Sequence, residues 1–341
     1  MICFIGPVAN AGGPAIKNKL LVEYLQKHTD VKLINTYNQS VWNRIKSILL
    51  LIFTPSKQII IGVSHKGRKI MYPILRIKKC FSKRLKFSCI IIAGSFINKL
   101  KQGDKGLKKT LFLADLVTVE TQTLKKEMNA LGFENAYYLP NYKVLTGLTN
   151  DQKHDYSTEA LRFVYMSSLR NVKGLRTMIE AFSNLLEKHP AAILDIYGPI
   201  KNDFDLSVLD GIKENKSINY RGVIENKDVV EKLSQYDVFV FPSECKTEGF
   251  PAVLVDAQAA GLPVIASDIQ FNCEIIADRK NGFIFKAGDV EALTDCFLLC
   301  FNNAEKMMEM AECNRENVKI YDRDTVVQKY IEALKKHGWK I

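Results

Sequence analysis

The chain has 341 residues, of which 47% are hydrophobic and 25% are charged. This length exceeds what one ordinary core needs and suits two domains, and the composition excludes a chain that is disordered throughout. The net charge of +11 is unevenly distributed, because residues 1–150 carry a balance of +17 and residues 151–341 a balance of −6. The two parts are therefore expected to face different partners, the first of them anionic.

The beginning of the chain shows no basic stretch before an apolar segment, because Met1 is followed at once by a strand-like run at residues 2–5. The longest apolar run, residues 48–53, is far shorter than the ~20 residues that span a bilayer. We therefore expect a cytoplasmic protein without a signal peptide or a transmembrane segment. The eight cysteines form no C-x-x-C pair, which favours free buried thiols in a reducing compartment.

Short apolar, β-branched runs alternate with segments of helical period along the whole chain. The runs lie at residues 2–5, 31–34, 59–63, 87–93, 116–119, 136–139, 163–165, 192–197, 218–220, 238–241, 263–266 and 282–285. Runs of this length between helices are typical of parallel strands that are buried on both faces. The sequence therefore predicts an α/β protein with two doubly wound, Rossmann-like domains.

The domain boundaries follow from composition. Residues 141–160 are polar and without a clear period, which predicts a linker, so we assign the first domain to residues 1–150 and the second to residues 151–320. Residues 321–341 form a third segment. Its residues 321–334 have the spacing of one amphipathic helix, whose apolar face consists of Val326, Val327, Tyr330, Ile331 and Leu334.

A glycine-rich turn follows the first predicted strand. Gly12 and Gly13 stand before Pro14 and a helical segment. Tandem glycines let backbone N–H groups approach a phosphate closely, and Pro14 suits the first turn of a helix, whose dipole favours an anion. The pattern is neither G-x-G-x-x-G nor a P-loop, and a tight strand–helix turn without a ligand explains it equally well.

Basic and apolar side chains alternate in the first domain. The basic ones are Arg68, Lys69, Arg76, Lys78, Lys79, Lys83, Arg84 and Lys86. A helix with this pattern suits an anionic membrane surface, and residues 42–53, with Arg44 and Lys46, form a second candidate. The alternative is a solvated basic face whose apolar residues lie in the core. We expect no nucleic-acid partner, because no known nucleic-acid-binding motif accompanies the charge.

Lys173 ends a predicted strand and turn in the second domain. It lies in the run Ser167-Ser168-Leu169-Arg170-Asn171-Val172-Lys173-Gly174, so we expect it in the crevice at the carboxyl ends of the strands, where open α/β sheets bind ligands. A lysine there neutralises a diphosphate and stabilises it as a leaving group. Taken alone, the segment is equally compatible with a surface lysine in a turn.

Two carboxylates flank a Gly-Phe-Pro turn further along the chain. Glu248 stands before the turn and Asp256 lies eight residues later on a predicted helix that ends at Gly261. Carboxylates accept hydrogen bonds from sugar and ribose hydroxyl groups, and backbone N–H groups at a helix start face an anion. The segment that would face the anion consists of Gly249, Phe250, Pro251, Ala252 and Val253. All of these residues except proline offer a backbone N–H. This arrangement suits a nucleotide sugar.

These motifs together resemble family 4 of the glycosyltransferases. The resemblance rests on Glu248 and Asp256 with seven residues between them, on the Gly-Phe-Pro turn, and on the ending Gly261-Leu262-Pro263-Val264. The segments Lys173-Gly174, Asp195-Ile196-Tyr197-Gly198, Arg221-Gly222-Val223, Glu274-Ile275-Ile276 and Asn281-Gly282-Phe283 follow the order and spacing of the family. It covers residues 160–320 strongly and the first domain only in outline.

The resemblance implies a GT-B fold, with two Rossmann-like domains facing a cleft and a last helix that crosses back to the first domain. It implies transfer of a sugar from a nucleoside diphosphate with retention of configuration, without a metal and without a further cofactor. By the same resemblance, Lys173 contacts the diphosphate, Glu248 the donor sugar and Asp256 the ribose. The turn at Gly222 and Val223 contacts the base, and the Gly12-Gly13 turn approaches the phosphate from the other domain.

The chain departs from the family pattern at three positions. Asp256 replaces the usual glutamate and is shorter by one methylene, so the expected ribose contact is longer or bridged by water. Ser168 stands five residues before Lys173, where the family usually has arginine, and nearby Arg170 would point to the other side. In the first domain the family often has a histidine where this chain has Ala93, with Ser95 two residues on, and His65 follows a different strand.

Two D-x-D pairs raise the question of a metal site. Asp203 and Asp205 lie in a predicted loop, and Asp322 and Asp324 open the predicted C-terminal helix. Aspartate is a good helix cap, so we interpret both pairs as structural and expect no metal.

The sequence therefore predicts a retaining glycosyltransferase that moves a hexose or N-acetylhexosamine from a UDP- or GDP-linked donor to a lipid-linked or growing glycan acceptor. Its expected place is the inner face of the cell membrane, in capsule or lipopolysaccharide biosynthesis. The changes at Ala93 and Ser168 motivate an alternative, a GT-B binding or scaffold subunit without catalysis. A GT-B nucleotide-sugar epimerase is a third. The base, the sugar, the acceptor and the oligomeric state stay open.

Overall fold

A computed structural model describes residues 1–10, 12–92, 96–145, 154–158, 160–269 and 271–341. The chain divides into two compact units. The first unit contains Met1–Val144 together with Tyr321–Ile341, and the second contains Leu145–Ile320. The two units carry opposite charge, because the first has 29 basic and 10 acidic side chains and the second has 19 and 27.

The first unit is built on a sheet of six parallel strands in the order β2-β1-β3-β4-β5-β6. The strands are β1 (Ile2–Gly6), β2 (Val31–Asn35), β3 (Gln58–Ile61), β4 (Lys86–Ile90), β5 (Leu116–Val119) and β6 (Ala136–Tyr138). All five residues of β1 and all four of β5 are buried. Burial on both faces explains why these strands are continuous apolar runs in the sequence.

Seven helices belong to the described residues of the first unit. They are α1 (Gly13–Gln26), α2 (Val41–Phe53), α3 (His65–Phe81), α4 (Phe96–Lys101), α5 (Lys105–Leu113), α6 (Gln122–Ala130) and, at the end of the chain, α14 (Arg323–Lys336). Helix α14 packs into this unit as the resemblance implied: the Tyr330 hydroxyl donates to Ser88 Oγ over 2.7 Å. Beyond the helix, Trp339 Nε1 donates to Asp115 over 3.0 Å.

The second unit repeats this arrangement with six parallel strands in the order β12-β11-β10-β7-β8-β9. The strands are β7 (Arg162–Met166), β8 (Ile193–Tyr197), β9 (Ile218–Tyr220), β10 (Val238–Phe241), β11 (Val264–Ser267) and β12 (Gly282–Phe285). The twelve predicted strands are thus confirmed, with ends that shift by up to three residues. Two doubly wound, Rossmann-like units follow from this order.

Seven helices belong to the described residues of the second unit. They are α7 (Leu175–Leu186), α8 (Ser207–Asp210), α9 (Val229–Leu233), α10 (Ala252–Ala259), α11 (Asn272–Ile275), α12 (Val290–Asn302) and α13 (Ala304–Asn317). The core includes a cluster of three aromatic rings, in which Phe163, Phe182 and Phe297 meet edge to face with centroids 5.2 to 5.4 Å apart. Such pairs add to the free energy gained by burial.

One predicted feature differs from the structure in detail, and others lie outside the described residues. The C-terminal helix begins at Arg323 rather than at residue 321, because Val318–Tyr321 form a 3-10 turn and Asp322 caps the helix. The five apolar residues predicted for its inner face are all buried. Most of the predicted linker, including Gly147, lies outside the described residues, as do Ala93 and Ser95.

Each sheet has a point at which the strand order reverses direction. In the first unit, β1 lies between β2 and β3, and in the second, β7 lies between β8 and β10. The loops that follow the two strands at such a point diverge to opposite faces of the sheet and leave a crevice at the carboxyl ends. Ligands are therefore expected at the loops after β7 and β10 in the second unit, and at those after β1 and β3 in the first.

Candidate active site

The loops after β7 and β10 are held together by a close backbone approach. Lys173 ends the 3-10 turn Asn171–Lys173, and Gly174 follows it with φ +71°. A Cβ on Gly174 would lie 1.9 Å from the carbonyl oxygen of Pro242, so no larger residue fits. The Glu244 N–H donates to the Val172 carbonyl oxygen over 2.9 Å. The switch point of the second sheet thus has a fixed backbone.

Lys173 and Glu248 form an ion pair at this switch point. The Lys173 side chain is 10% exposed and the Glu248 side chain 19%. The ammonium group also lies 5.5 Å from the centre of the Phe241 ring, and the Ser243 hydroxyl donates to the same Glu248 oxygen over 3.2 Å. A cation and an anion therefore lie side by side, partly desolvated, where the fold class binds its ligand.

A second layer of hydrogen bonds fixes the loop that carries Glu248. The Ser267 hydroxyl, at the end of β11, donates to the Ser243 carbonyl oxygen over 2.5 Å, and Asn272 Nδ2 donates to the Ser267 carbonyl oxygen over 3.0 Å. The Thr177 hydroxyl, on α7, donates to Glu244 over 2.8 Å. Elements after β7, β10 and β11 thereby fix the loop that carries Glu248, as a preorganised site requires.

The Gly-Phe-Pro turn leads directly into the start of α10. Pro251 is the residue before the helix, its side chain caps none of the helix amides, and the first turn contains no acidic residue. The N-terminal end of the helix dipole therefore has no neutralising carboxylate in its own first turn. Phe250 and Pro251 are buried, whereas Gly249, Ala252 and Val253 are half-buried. Asp256, one turn further on, is 5% exposed.

The turn at Gly222 lies after β9. Gly222 has φ +82°, and its carbonyl oxygen accepts a hydrogen bond from the Gly198 N–H over 2.8 Å. Gly198 itself is sterically required, because its Cβ would lie 1.7 Å from the Ser167 carbonyl oxygen. Val223 is 62% exposed. The carboxyl ends of β7, β8 and β9 are thus linked, and the open residue of this turn faces solvent.

A buried network around Asp195 supports that edge, and its role was not predicted from the sequence. Asp195 accepts hydrogen bonds from the Tyr236 hydroxyl over 2.8 Å and from Arg221 Nε over 3.1 Å. The Tyr197 and Tyr236 hydroxyl oxygens lie 2.8 Å apart. Burial raises the pKa of Tyr236, and its hydrogen bonds to Tyr197 and Asp195 raise it further. The signal in the sequence was a lone aspartate within an apolar strand.

The positions that depart from the family pattern have structural partners of their own. The Ser168 carbonyl oxygen accepts from the Tyr165 hydroxyl over 3.3 Å. Arg170 forms an ion pair with Asp203 at 2.9 Å, so it does not pair with Glu248. Burial raises the pKa of the Tyr165 hydroxyl, which keeps it a neutral hydrogen-bond donor.

The D-x-D pairs are used as caps and ion-pair partners. Asp205 pairs with Arg176 at 2.8 Å and accepts from the Ser207 N–H. Asp322 accepts from two amides of the first turn of α14, which confirms the predicted cap. Among the residues that the structure describes, no group of three or more His, Cys, Asp or Glu side chains is arranged to hold a metal ion.

The glycine turn of the first unit has one strictly required glycine. Gly12 has φ +82° and precedes α1, whose first turn contains Gly13 and Pro14 as predicted. The space around both glycines is open, since a Cβ on either would meet no atom within 4 Å. The turn lies at the carboxyl end of β1, beside the switch point of the first sheet.

Two Rossmann-like units in one chain, with the last helix returned to the first unit, define the GT-B class. A family model described as "Glycosyl transferases group 1" matches residues 148–317. The matched range lies entirely within the second unit, and Lys173, Glu248 and Asp256 lie within it.

Curated relatives match over part of their length. An uncharacterized glycosyltransferase of Haemophilus influenzae is 27% identical over 49% of this chain and 46% of its own. The capsular polysaccharide biosynthesis glycosyltransferase CapM of Staphylococcus aureus is 21% identical over 63% of this chain and 57% of its own. A phosphatidyl-myo-inositol mannosyltransferase of Mycobacterium leprae is 27% identical over 50% and 45%. The chain thus spans about half the length of these relatives.

Solved structures match the whole fold. Anabaena Alr3699/HepE, crystallised with UDP, aligns with a TM-score of 0.75 at 17% identity and covers 98% of this chain and 99% of its own. Sucrose-phosphate synthase of Thermosynechococcus elongatus aligns with a TM-score of 0.75 at 14% identity and covers 98% of both chains. At these identities the likeness establishes the fold.

Proposed function

We propose that the protein is a retaining glycosyltransferase that moves a hexose or N-acetylhexosamine from a nucleoside-diphosphate sugar to a lipid-linked or growing glycan acceptor. The observation that carries the proposal is the Lys173–Glu248 ion pair, placed at the switch point of the unit that the group 1 glycosyl transferase model matches. The UDP bound in the HepE crystal structure and the polysaccharide role in the name of CapM are consistent with it.

The ion pair explains how the site accepts a donor. A nucleoside-diphosphate sugar carries both a diphosphate anion and hydroxyl groups, so it offers a new partner to each member of the pair. Lys173 would exchange Glu248 for the diphosphate, and Glu248 would accept hydrogen bonds from sugar hydroxyls. Asp256 would accept from the ribose, and the turn at Gly222 and Val223 would receive the base. Lys173 and Glu248 therefore have each other as partners in the free site, and each would have a new partner when the donor is bound.

The same groups would act on the transition state. As the bond between the sugar and the diphosphate breaks, negative charge grows on the diphosphate, and Lys173 lies where it would offset that charge. The N-terminal end of α10, from Gly249 to Val253, would contribute in the same sense. The proposed transfer assigns no step to a metal ion or to a further cofactor.

The purified chain with a panel of UDP- and GDP-sugars and a lipid-linked acceptor tests this function. We expect release of nucleoside diphosphate that depends on the acceptor, a product with the donor's anomeric configuration by NMR, and unchanged rates in EDTA. The scaffold alternative, which Ser168 motivates, predicts no turnover by the purified chain. An epimerase would form a new sugar nucleotide without any acceptor, and that product would contradict the proposal.

We also propose that helix α2 places the first unit on an anionic membrane surface. Its outward face, here called the α2 stripe, consists of Val41, Trp42, Ile45, Leu49, Ile52 and Phe53, all exposed. Only Ser47 and Leu51 on the helix are buried. Six apolar residues within about 120° of a helix and facing away from the core are unfavourable in water, since fully burying a fully exposed side chain of this kind gains roughly 1.5–3 kcal/mol.

Basic and apolar residues on neighbouring elements extend this surface. Arg44 and Lys46 flank the α2 stripe, and at the end of α3 Phe81 is 90% exposed beside exposed Lys83 and Arg84. Basic side chains near anionic lipid contribute about 1 kcal/mol each. In the described part of the chain, no helix is both long enough and apolar enough to cross a bilayer.

Tryptophan fluorescence separates the apolar contribution of the α2 stripe from the electrostatic contribution of the basic side chains. The chain has two tryptophans, of which Trp42 is 80% exposed and Trp339 is 4% exposed. We expect vesicles with phosphatidylglycerol to shift Trp42 emission to the blue and high salt to weaken binding. A Phe53→Ser variant should bind less, whereas Met308→Ser, which removes an exposed apolar side chain from the second unit, should not. No spectral shift with such vesicles would refute the proposal.

A further inference from the structure

A basic pocket lies in the first unit, at the start of helix α3. Two adjoining cavities, of about 150 and 390 Å³, share His65, Lys69 and Asp104 in their walls. Arg68 lines the first cavity and Lys99 the second. We call this space the α3 pocket. It follows β3, one of the two strands at the switch point of the first sheet, and none of its residues belongs to the donor site.

Arg68, in the wall of the pocket, has a buried hydrogen-bond donor without an acceptor among the described residues. The residue is 7% exposed, and its guanidinium carbon lies 5.1 Å from the centre of the Phe96 ring. Its Nε is buried and has no hydrogen-bond partner among the residues that the structure describes. A buried guanidinium cannot lose its charge, and an unpaired buried donor is unfavourable. An acceptor that enters the pocket would supply what the fold does not.

Two lysines add to the positive charge of the pocket. Within the described ranges, neither Lys69 nor Lys99 has a carboxylate oxygen within 4.0 Å. The neighbouring Asp104 caps α5, where its Oδ1 accepts from the Leu107 N–H over 2.9 Å. Burial lowers the pKa of His65, as do Lys99, Lys69 and Arg68, while Asp104 opposes them. Positive charge thus exceeds negative charge around the histidine.

The walls of the pocket are positioned by side chains that already have partners. Arg76, one wall residue, donates from Nη1 to the Gly106 carbonyl oxygen over 2.6 Å and to the Thr110 hydroxyl over 3.0 Å. It therefore links α3 to α5, with Asp104 at the start of α5. The N-terminal end of α3, which begins at His65, adds the positive end of a helix of 17 residues. The pocket is therefore framed by fixed elements and has an excess of positive charge.

We infer that the α3 pocket binds a phosphate or diphosphate group, with Arg68, Lys69 and Lys99 as the charged contacts and His65 at the rim. Such a group belongs either to a diphosphate-linked acceptor or to the headgroup of an anionic phospholipid. Assignment to the acceptor rests on the proposed function, whereas anion binding does not. Raised His65 protonation on binding is a direct consequence, since an anion offsets the three cations.

Proton NMR of the five histidines, with inorganic pyrophosphate as the ligand, tests anion binding without reference to catalysis. A His65→Gln variant assigns the His65 signal. We expect pyrophosphate to raise the His65 pKa and to leave the signals of the other four histidines unchanged. This readout distinguishes the α3 pocket from pyrophosphate bound at the donor site, which contains no histidine.

A charge variant tests which side chains hold the anion. Lys69→Gln with Lys99→Gln removes two surface charges and should weaken pyrophosphate binding, read at His65, by about tenfold or more, as expected for charge-assisted hydrogen bonds. Lys125→Gln with Lys126→Gln, on α6 of the same unit, makes the same change in net charge and should leave it unchanged. An unchanged His65 pKa at saturating pyrophosphate, or equal weakening in both double variants, would overturn the inference.

Two further titrations identify the source of the group. A water-soluble prenyl diphosphate that raises the His65 pKa, together with a higher acceptor KM and an unchanged donor Kd in the Lys69/Lys99 variant, identifies the acceptor. A response to phosphatidic acid vesicles but not to the prenyl diphosphate identifies a headgroup. If the protein transfers no sugar at all, the proposed function fails, and the pyrophosphate titration still decides the α3 pocket.

Discussion

Removing the charge of Glu248 should lower the stability of the protein but should not lower its affinity for nucleoside diphosphate. In Glu248→Gln the shape of the side chain is kept and its charge is removed, so Lys173, 10% exposed, loses its counter-ion. Breaking a fully buried pair costs ~3–5 kcal/mol. Because the Glu248 side chain is 19% exposed and water reaches it, we expect a smaller loss of about 1–3 kcal/mol in the free energy of unfolding.

Nucleoside diphosphate should then restore part of that stability. Its phosphates give Lys173 the negative partner that the variant lacks, so the diphosphate alone should bind Glu248→Gln as tightly as the unchanged protein, or more tightly. Sugar transfer should fall about 100-fold or more, because the contact with the donor sugar is weakened. Calorimetric titration with the diphosphate and a transfer assay measure the two effects separately.

The matched control is Glu244→Gln. Glu244 lies in the same loop, is similarly half-buried, and accepts from the neutral Thr177 hydroxyl at 2.8 Å, so its replacement leaves no cation unpaired. Transfer by this variant should stay within a few-fold of the unchanged protein. The proposed exchange of Glu248 for the diphosphate would be refuted if Glu248→Gln lost affinity for the diphosphate alone in proportion to its loss of transfer. The ion pair would then maintain the shape of the phosphate site, and Glu248 would not compete with the diphosphate for Lys173.

Three further substitutions test the rest of the structure. Asp256→Ala should weaken a nucleoside diphosphate by about tenfold and leave its 2′,3′-dideoxy analogue unaffected, because the analogue lacks the ribose hydroxyls that a carboxylate accepts from; equal weakening of both by titration would disprove the ribose contact. Gly174→Ala should lower stability in a denaturant melt by about 3 kcal/mol or more, whereas Gly211→Ala, at φ −63° with 3.5 Å of space, should change it little. Lys17→Met should destabilise the first unit by ~3–5 kcal/mol, because Glu120, 3% exposed, then loses its buried partner at 2.8 Å; Lys17→Met with Glu120→Leu should recover most of that loss, and an additive double variant would refute the pairing.

The strands and their order of alternation were predictable because each strand is buried on both faces. An apolar run such as Ile2–Gly6 therefore appears in the sequence without reference to the rest of the fold. Lys173, Glu248 and Asp256 were predicted as site residues from spacing and resemblance, but the contact between Lys173 and Glu248 was not predicted. Lys173 and Glu248 are 75 residues apart in the chain, and only the order β10-β7 in the sheet brings their loops together.

Two features depended on facts that no local pattern contains. The period of residues 42–53 predicted an amphipathic helix, but a period does not say which face points inward, and the structure turns the apolar face of α2 outward. The Asp195–Tyr236 bond joins residues 41 positions apart, and it forms because the sheet order places β8 and β10, which follows Tyr236 in the chain, on either side of β7. In both cases tertiary packing carries the information.

Lys173 and Glu248 are central to the proposed function, because together they would form a site that binds a nucleotide sugar. Thermal unfolding with UDP, GDP, ADP and their common sugar conjugates tests this most directly, because a ligand at about a hundred times its Kd adds ~2.7 kcal/mol of stability, which moves the midpoint by a few degrees. We predict a shift with one nucleotide and its sugar conjugate, and no such shift in Lys173→Ala. A flat response to every nucleotide, or a shift that Lys173→Ala retains in full, would contradict the site.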